Sequence, residues 1–189
     1  LLALNNRLLT LKSNYEYNKL EIDSLAIKQR ELEQQLSHKC QSYNEYETYL
    51  DINYEIVRNS LADHEVVIDF SDYQTDDSVR QYVAYIYDKD KSHPLLVKCF
   101  EQQQLDSLLD GMQNFTLYNF EQLQDGAANL IWKSIEANIA KGSTVYYIPS
   151  GIMHSIALEA LPLSDGTVLG QHYNFVRLTS AREIANVHY

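Results

Sequence analysis

A sulfur nucleophile needs a base or a cation beside it, so the two cysteines, Cys40 and Cys99, and the six histidines are weighed first. Cys99 lies inside the apolar run 95–100 (LLVKCF), where a free cysteine ordinarily behaves as a small buried hydrophobe. Cys40 falls at an expected helix end with no special partner. Two cysteines cannot supply a disulfide framework or a four-ligand zinc site. His38, His64, His93, His154, His172 and His188 contain no pair at metal-ligand spacing, and the expectation for each is a surface or loop-bracing role. His154 stands out because it follows a turn, Pro149-Ser150-Gly151, at the end of an expected strand, where α/β proteins place functional loops. Even there bracing is the expectation, because no partner is identifiable from spacing.

Other candidates are weaker. Ser150 lacks the first glycine of a nucleophile elbow, so a plain turn is expected. Asp69, Asp72, Asp76 and Asp77 miss the calcium-loop spacing and its glycine, and a solvated loop is expected. Asn114-Phe115-Thr116 is a glycosylation sequon by pattern only. There is no glycine-rich phosphate loop. Spacing alone therefore supplies no catalytic residue, no metal site and no cofactor. A third reading stays open as a test case: a self-contained enzyme using Cys99 with His93 or His154.

The elements that must position these residues fall into two compositional halves. Of the 189 residues, 15 are basic and 26 acidic, for a net charge of −11. That balance disfavours a duplex nucleic-acid partner, which needs cations against phosphates. A solvated acidic surface is expected, with basic partner segments as the electrostatic alternative. No apolar run approaches the ~20 residues of a membrane span, and the start lacks a secretory pattern, so a cytoplasmic protein is expected. The chain begins at Leu1, and its only methionines are Met112 and Met153, which reads as a piece of a longer protein. Residues 1–64 contain neither Gly nor Pro, whereas every Gly and Pro lies after residue 93. A long stretch without either breaker signals helix.

In that first part, Leu4, Leu8, Leu11, Tyr15, Asn18, Ile22, Leu25, Gln29, Leu32 and Leu36 are spaced alternately four and three, and eight of the ten are apolar. This predicts one long amphipathic helix. Tyr46, Leu50, Tyr54, Val57 and Leu61 predict a second, antiparallel to the first if the chain turns near residues 40–44. The alternative is intermolecular coiled-coil pairing, a homodimer. A helical hairpin or coiled-coil-like region over residues 1–63 and an α/β part over residues 64–189 are therefore expected. From residue 65 the period changes: segments 65–70, 82–87, 95–100, 144–148 and 174–178 read as strands. The turn 88–94 joins two of them as a hairpin. Helices are predicted over 102–110, stopped by Gly111, over about 118–140 with Gly142 as its stop, and from Ser180 onward. Strands alternating with helices argue for a sheet covered by helices.

Several segments together resemble a known family. Residues 61–70 (LADHEVVIDF) are similar to the opening of a CHAT domain, the caspase-like domain that follows tetratricopeptide repeats. Trp132 in LIWKSIEANI resembles that family's helix before its next strand. Residues 145–162 (VYYIPSGIMHSIALEALP) resemble its strand–PDG–loop segment, with Ser150 where Asp is usual. Residues 173–184 (YNFVRLTSAREI) resemble its strand-to-helix signature, with Thr179 as a mild departure. The likeness covers residues 61–189, and the helical part fits the segment linking repeats to the domain. It implies a bacterial-type, clan CD cysteine endopeptidase with a His–Cys dyad encoded beyond Tyr189; no residue of this chain matches either catalytic motif. What falls here is the amino-terminal, scaffold portion of the domain, with a protein substrate or partner. The alternative is a pure interaction module whose helical hairpin is a docking surface. A sheet cut midway leaves an unpaired edge strand, so association with a second copy or with the downstream portion is expected.

Overall fold

The computed structural model describes residues 2–12, 15–39, 48–109, 118 and 126–187. The expected turn at residues 40–44, Cys40, His188, the Asn114 sequon, the Gly111 helix stop and the side chain of His38 lie outside these. The chain forms two compact units, Leu1–Ile52 and Asn53–Tyr189. Among the described residues no helix is long and apolar enough to cross a membrane.

In the first unit the expected single helix is two: α1 (Leu2–Lys12) and α2 (Tyr15–Lys39). The four–three stripe closes on itself. Leu8, Leu11 and Ile22 are buried together, with Leu4 and Leu25 packed against them, and Arg7 pairs with Glu21 at 3.0 Å. Asn18 explains how a seam can tolerate a polar residue. Its Nδ2 donates to the Leu11 carbonyl at 3.3 Å, one of the acceptors left orphaned at a helix end.

The second unit opens with α3 (Tyr54–Ser60), the second helix of the expected hairpin. Asn53 caps it by accepting from the Ile56 N–H at 3.1 Å, as N-cap asparagines do. Five strands follow: β1 (Glu65–Gln74), β2 (Arg80–Asp88), β3 (Leu95–Glu101), β4 (Thr144–Ile148) and β5 (Asn174–Arg177). They form one mixed sheet in the order β3-β2-β1-β4-β5. β1/β2 and β2/β3 are antiparallel hairpin partners, while β1/β4 and β4/β5 run parallel.

Alternation along β1 separates two buried faces. Val66, Ile68 and Phe70 join Tyr82, Ala84, Ile86, Val145 and Tyr147 in the main core. There they meet Leu105 of α4 (Gln102–Leu109) and Ala127, Ala128, Ile131, Trp132 and Ile135 of α5 (Gly126–Glu136). On the other face Val67, Val83 and Tyr146 are buried. Tyr54 of α3 packs there against Tyr87 with ring centroids 5.5 Å apart, and α3 touches α6 (Ile184–Val187). A sheet buried on both sides needs apolar residues in consecutive positions, which is why VVI in β1 and YVA in β2 break strict alternation.

α5 is shorter than its apolar stripe predicted. It ends at Glu136, where the Asn138 side chain donates to the Ser134 carbonyl at 3.2 Å, competing with the helical ladder. Ile139 remains buried in the turn that follows. Asp69 and Asp72, expected in a solvated loop, instead lie within β1, which runs four residues past its predicted end.

Candidate functional site

The carboxyl ends of the parallel strands β1, β4 and β5 lie together, the place where open α/β sheets bind ligands. Pro149, without an N–H, ends β4. The loop that follows is tied down on both sides. Toward β1 and β2, Ser150 Oγ donates to Asp72 Oδ1 at 2.6 Å, and Arg80 holds the other carboxylate oxygen at 3.4 Å. The Ile152 N–H donates to the Tyr82 hydroxyl at 3.1 Å, and that hydroxyl faces Gln102 Oε1 at 3.4 Å. Tyr82 is fixed by stacking on Phe100, centroids 4.8 Å apart.

Gly151 makes this crossing possible. Its φ is +52°, and a Cβ there would collide with the Tyr82 hydroxyl. Only glycine combines that dihedral with that approach.

Toward β5, Arg177 donates to the His154 carbonyl at 3.2 Å and to His154 Nδ1 at 3.0 Å. A guanidinium has only donors, so Nδ1 must carry its lone pair and a neutral imidazole carries its proton on Nε2. His154 is thus a brace whose partner lies 23 positions along the chain, beyond any helix or strand spacing rule. Beyond Arg177, Glu183 Oε1 accepts from the Thr179 and Ser180 N–H groups at 2.8 and 2.9 Å and from Thr179 Oγ1 at 2.5 Å. The Thr179 hydrogen bond leads in holding the Glu183 carboxyl below its ordinary pKa. Ser180 Oγ accepts from Arg182 N–H at 3.3 Å, completing a capping box.

Below this rim an aromatic cluster supports β4 and β5. Trp132 meets Tyr173 and Phe175 edge-on at 5.2 and 5.3 Å, and Tyr147 meets Phe175 at 6.1 Å. Such tilted pairs suit the ring quadrupoles.

The structure does not bring together the thiol and imidazole of the self-contained enzyme. Cys99 packs against the main core from edge strand β3, and burial pushes its thiol pKa up to about 11. Its Sγ lies 3.7 Å from the Val97 carbonyl. His93 precedes β3, roughly 20 Å away along an extended strand. His154 braces β5 at the opposite edge, about 19 Å across four strand spacings. Neither imidazole reaches the sulfur, so Cys99 forms no dyad with His93 or His154.

His64 and His172 brace turns. His64, at φ +62°, turns the chain into β1 and accepts the Thr144 N–H on its carbonyl at 2.8 Å. His172 Nε2 lies 2.7 Å from Thr167 Oγ1 and 3.7 Å from Asp165. Among the described residues no cluster of His, Cys, Asp or Glu could hold a metal ion. Asp69 is half-buried against the Tyr87 hydroxyl, and burial leads in raising its pKa; the same burial pushes Tyr87 up to about 12.

At the amino ends of β1 and β4, two adjoining cavities of about 660 and 560 Å³ share Asp88, Asn138 and Ala140. Their walls mix both signs of charge, and Lys89 is already paired with Asp63.

Sequence reasoning singled out Ser150 and His154 but missed Asp72, Tyr82 and Arg177 as their partners. Tyr82 and Ile152 are 70 positions apart, and no local period encodes such a contact. The one available signal was the Pro-Ser-Gly turn itself. No protein-family model matches the chain, and no curated protein matches it.

Proposed function

We propose that this chain is the amino-terminal, non-catalytic portion of a cytoplasmic CHAT-family cysteine endopeptidase. In this reading it scaffolds and regulates a caspase-like His–Cys dyad encoded downstream of Tyr189 that acts on protein substrates. One observation carries the reading. The two segments that resemble CHAT signatures, around Pro149–Gly151 and around Arg177–Glu183, are parallel neighbours in the sheet, and Arg177 joins them through His154. The protonated thiol of Cys99 also supports a scaffold role, since a thiol with so high a pKa is a poor nucleophile.

The test is labelling of the protein that contains this chain with a peptidyl chloromethyl ketone, followed by peptide mapping. The expected label falls on a cysteine beyond Tyr189 at the end of a strand, with a His-Gly pair upstream of it. Labelling of Cys40 or Cys99, or no labelled cysteine, overturns the reading.

A second reading is a non-enzymatic interaction module. It is favoured by Leu20 and Ile27 of α2, which are 88% and 58% exposed. They are seven residues apart on one helical face, away from the seam that α1 covers. An intact protein that binds a partner through this face yet carries no labelled cysteine would establish it.

A further inference from the structure

The cavity of about 660 Å³ at the amino ends of the strands is walled by described residues of the second unit, and its volume falls in the range of small-ligand sites. Ile86 and Ile139 belong to the main core, and with Pro94 and Leu95 they give the cavity an apolar wall. The polar wall has two sides. One is the β2–β3 turn, closed by the Lys91 N–H donating to the Asp88 carbonyl at 3.1 Å and by the Asp90 N–H donating to Asp88 Oδ1 at 2.9 Å. The Tyr54 hydroxyl pins this turn from α3 by donating to the Lys91 carbonyl at 3.0 Å. The other side is the carboxyl-terminal end of α5, where Asn138 spends its amide nitrogen on the Ser134 carbonyl.

These ties leave opposite charges unspent in one cavity. Asp88 and Lys91 share a turn, yet among the described residues neither lies within salt-bridge distance of an opposite charge. Lys89, between them, is taken by Asp63. The second carboxylate oxygen of Asp88 and the side-chain carbonyl of Asn138 are acceptors only. They stand by the end of a helix whose dipole favours positive charge. Lys91 and His93 line the same cavity, are exposed, and have no side-chain partner among the described residues. An ammonium and an imidazole N–H are the donors that a carboxylate takes. The cavity therefore offers acceptors for a cation, donors for an anion, and an apolar wall.

We propose that this cavity binds a short apolar peptide with free ends, a dipeptide of the Leu-Leu kind. Its ammonium takes Asp88 and Asn138, its carboxylate takes Lys91 and His93, and its side chains lie on the wall of Ile86, Pro94, Leu95 and Ile139. An extended dipeptide spans about 7 Å, which keeps its two charges apart. A free amino acid holds both charges on one carbon and leaves most of the 660 Å³ unfilled. The site stands whether or not the chain belongs to a peptidase.

The test titrates the full chain, ¹⁵N-labelled, with Leu-Leu to about 10 mM, a level that nearly fills a site of about 1 mM affinity. Amides within 88–95 and 137–140 should shift saturably. Acetyl-Leu-Leu lacks the ammonium and Leu-Leu-amide lacks the carboxylate. Each should bind about tenfold more weakly, the scale of losing one charge-assisted bond. Asp88→Asn keeps an acceptor for the Asp90 N–H, so the turn survives, and it should remove most of the difference between Leu-Leu and acetyl-Leu-Leu. Lys91→Gln should do the same for Leu-Leu and its amide. Absence of a saturable shift, shifts confined to other residues, blocked forms that bind the unaltered chain as well as Leu-Leu does, or differences that survive both substitutions would each overturn the proposal.

Discussion

Replacing Gly151 by Ala tests the brace over the carboxyl ends of the sheet. At φ +52° an L-residue pays about 1–2 kcal/mol for left-handed backbone. The new Cβ also falls on the Tyr82 hydroxyl, with Asp72 Oδ1 only 3.1 Å and Tyr82 Cε1 3.2 Å away. Moving Tyr82 breaks its bond to the Ile152 N–H, about 1 kcal/mol more. Gly151→Ala should therefore cost about 3 kcal/mol, a fall in Tm of roughly 10 °C for a unit of this size. Tyr82→Phe alone should cost about 1–1.5 kcal/mol, because it leaves the Ile152 N–H unpaired. In the double variant the collision is already relieved, so the two costs should fall short of their sum by about 1 kcal/mol. Urea unfolding followed by the fluorescence of Trp132, the single tryptophan and 1% exposed, measures all three. Strict additivity, or a Gly151→Ala cost below about 0.5 kcal/mol, would refute the reasoning, since neither the dihedral nor the overlap would then be felt.

Three further expectations follow from the same geometry. In a Cys40→Ser background, alkylation of Cys99 at pH 8 should be far slower than in urea, and its rate should keep rising toward the thiol pKa of about 11; a plateau near pH 8.5 contradicts this. Asp69 has a pKa raised by burial, so the folded state binds its proton more readily than the unfolded chain. Stability from this group is present at low pH and is lost as pH rises through the interval from the unfolded value to the raised one. Asp69→Asn should then stabilise the chain at pH 7 and lose that advantage in acid, as pH-dependent urea midpoints will show. Trp132→Ala removes a fully buried ring that packs on Tyr173 and Phe175 and should cost about 3–5 kcal/mol by the same unfolding measurement made on tyrosine fluorescence.

Local patterns carried most of the second unit. Every strand was legible because VVIDF, YVAYIY and TVYYI combine β-branched and aromatic residues in runs too short and too unbroken for a helix. The β2–β3 hairpin was legible from its polar, proline-closed turn, and the start at Ser180 from the spacing of a capping box, Ser180 to Glu183. The helical half shows where periodicity stops. The four–three stripe from Leu4 to Leu36 is present, but it folds back on itself, burying Leu8 and Leu11 against Ile22 and setting Asn18 on the Leu11 carbonyl. A repeat pattern is blind to that contact.

The order of the strands and the partners at the rim belong to tertiary structure. Placing β4 beside β1 brings Ser150 to Asp72, 78 positions away, and placing β5 beside β4 brings Arg177 to His154. Hydrophobic period reports which face of an element is buried and says nothing of which neighbour buries it. For the same reason the chain's residue types could name Cys99 and His154 as reactive groups, while only the packed sheet could set them at opposite edges and hold that thiol protonated.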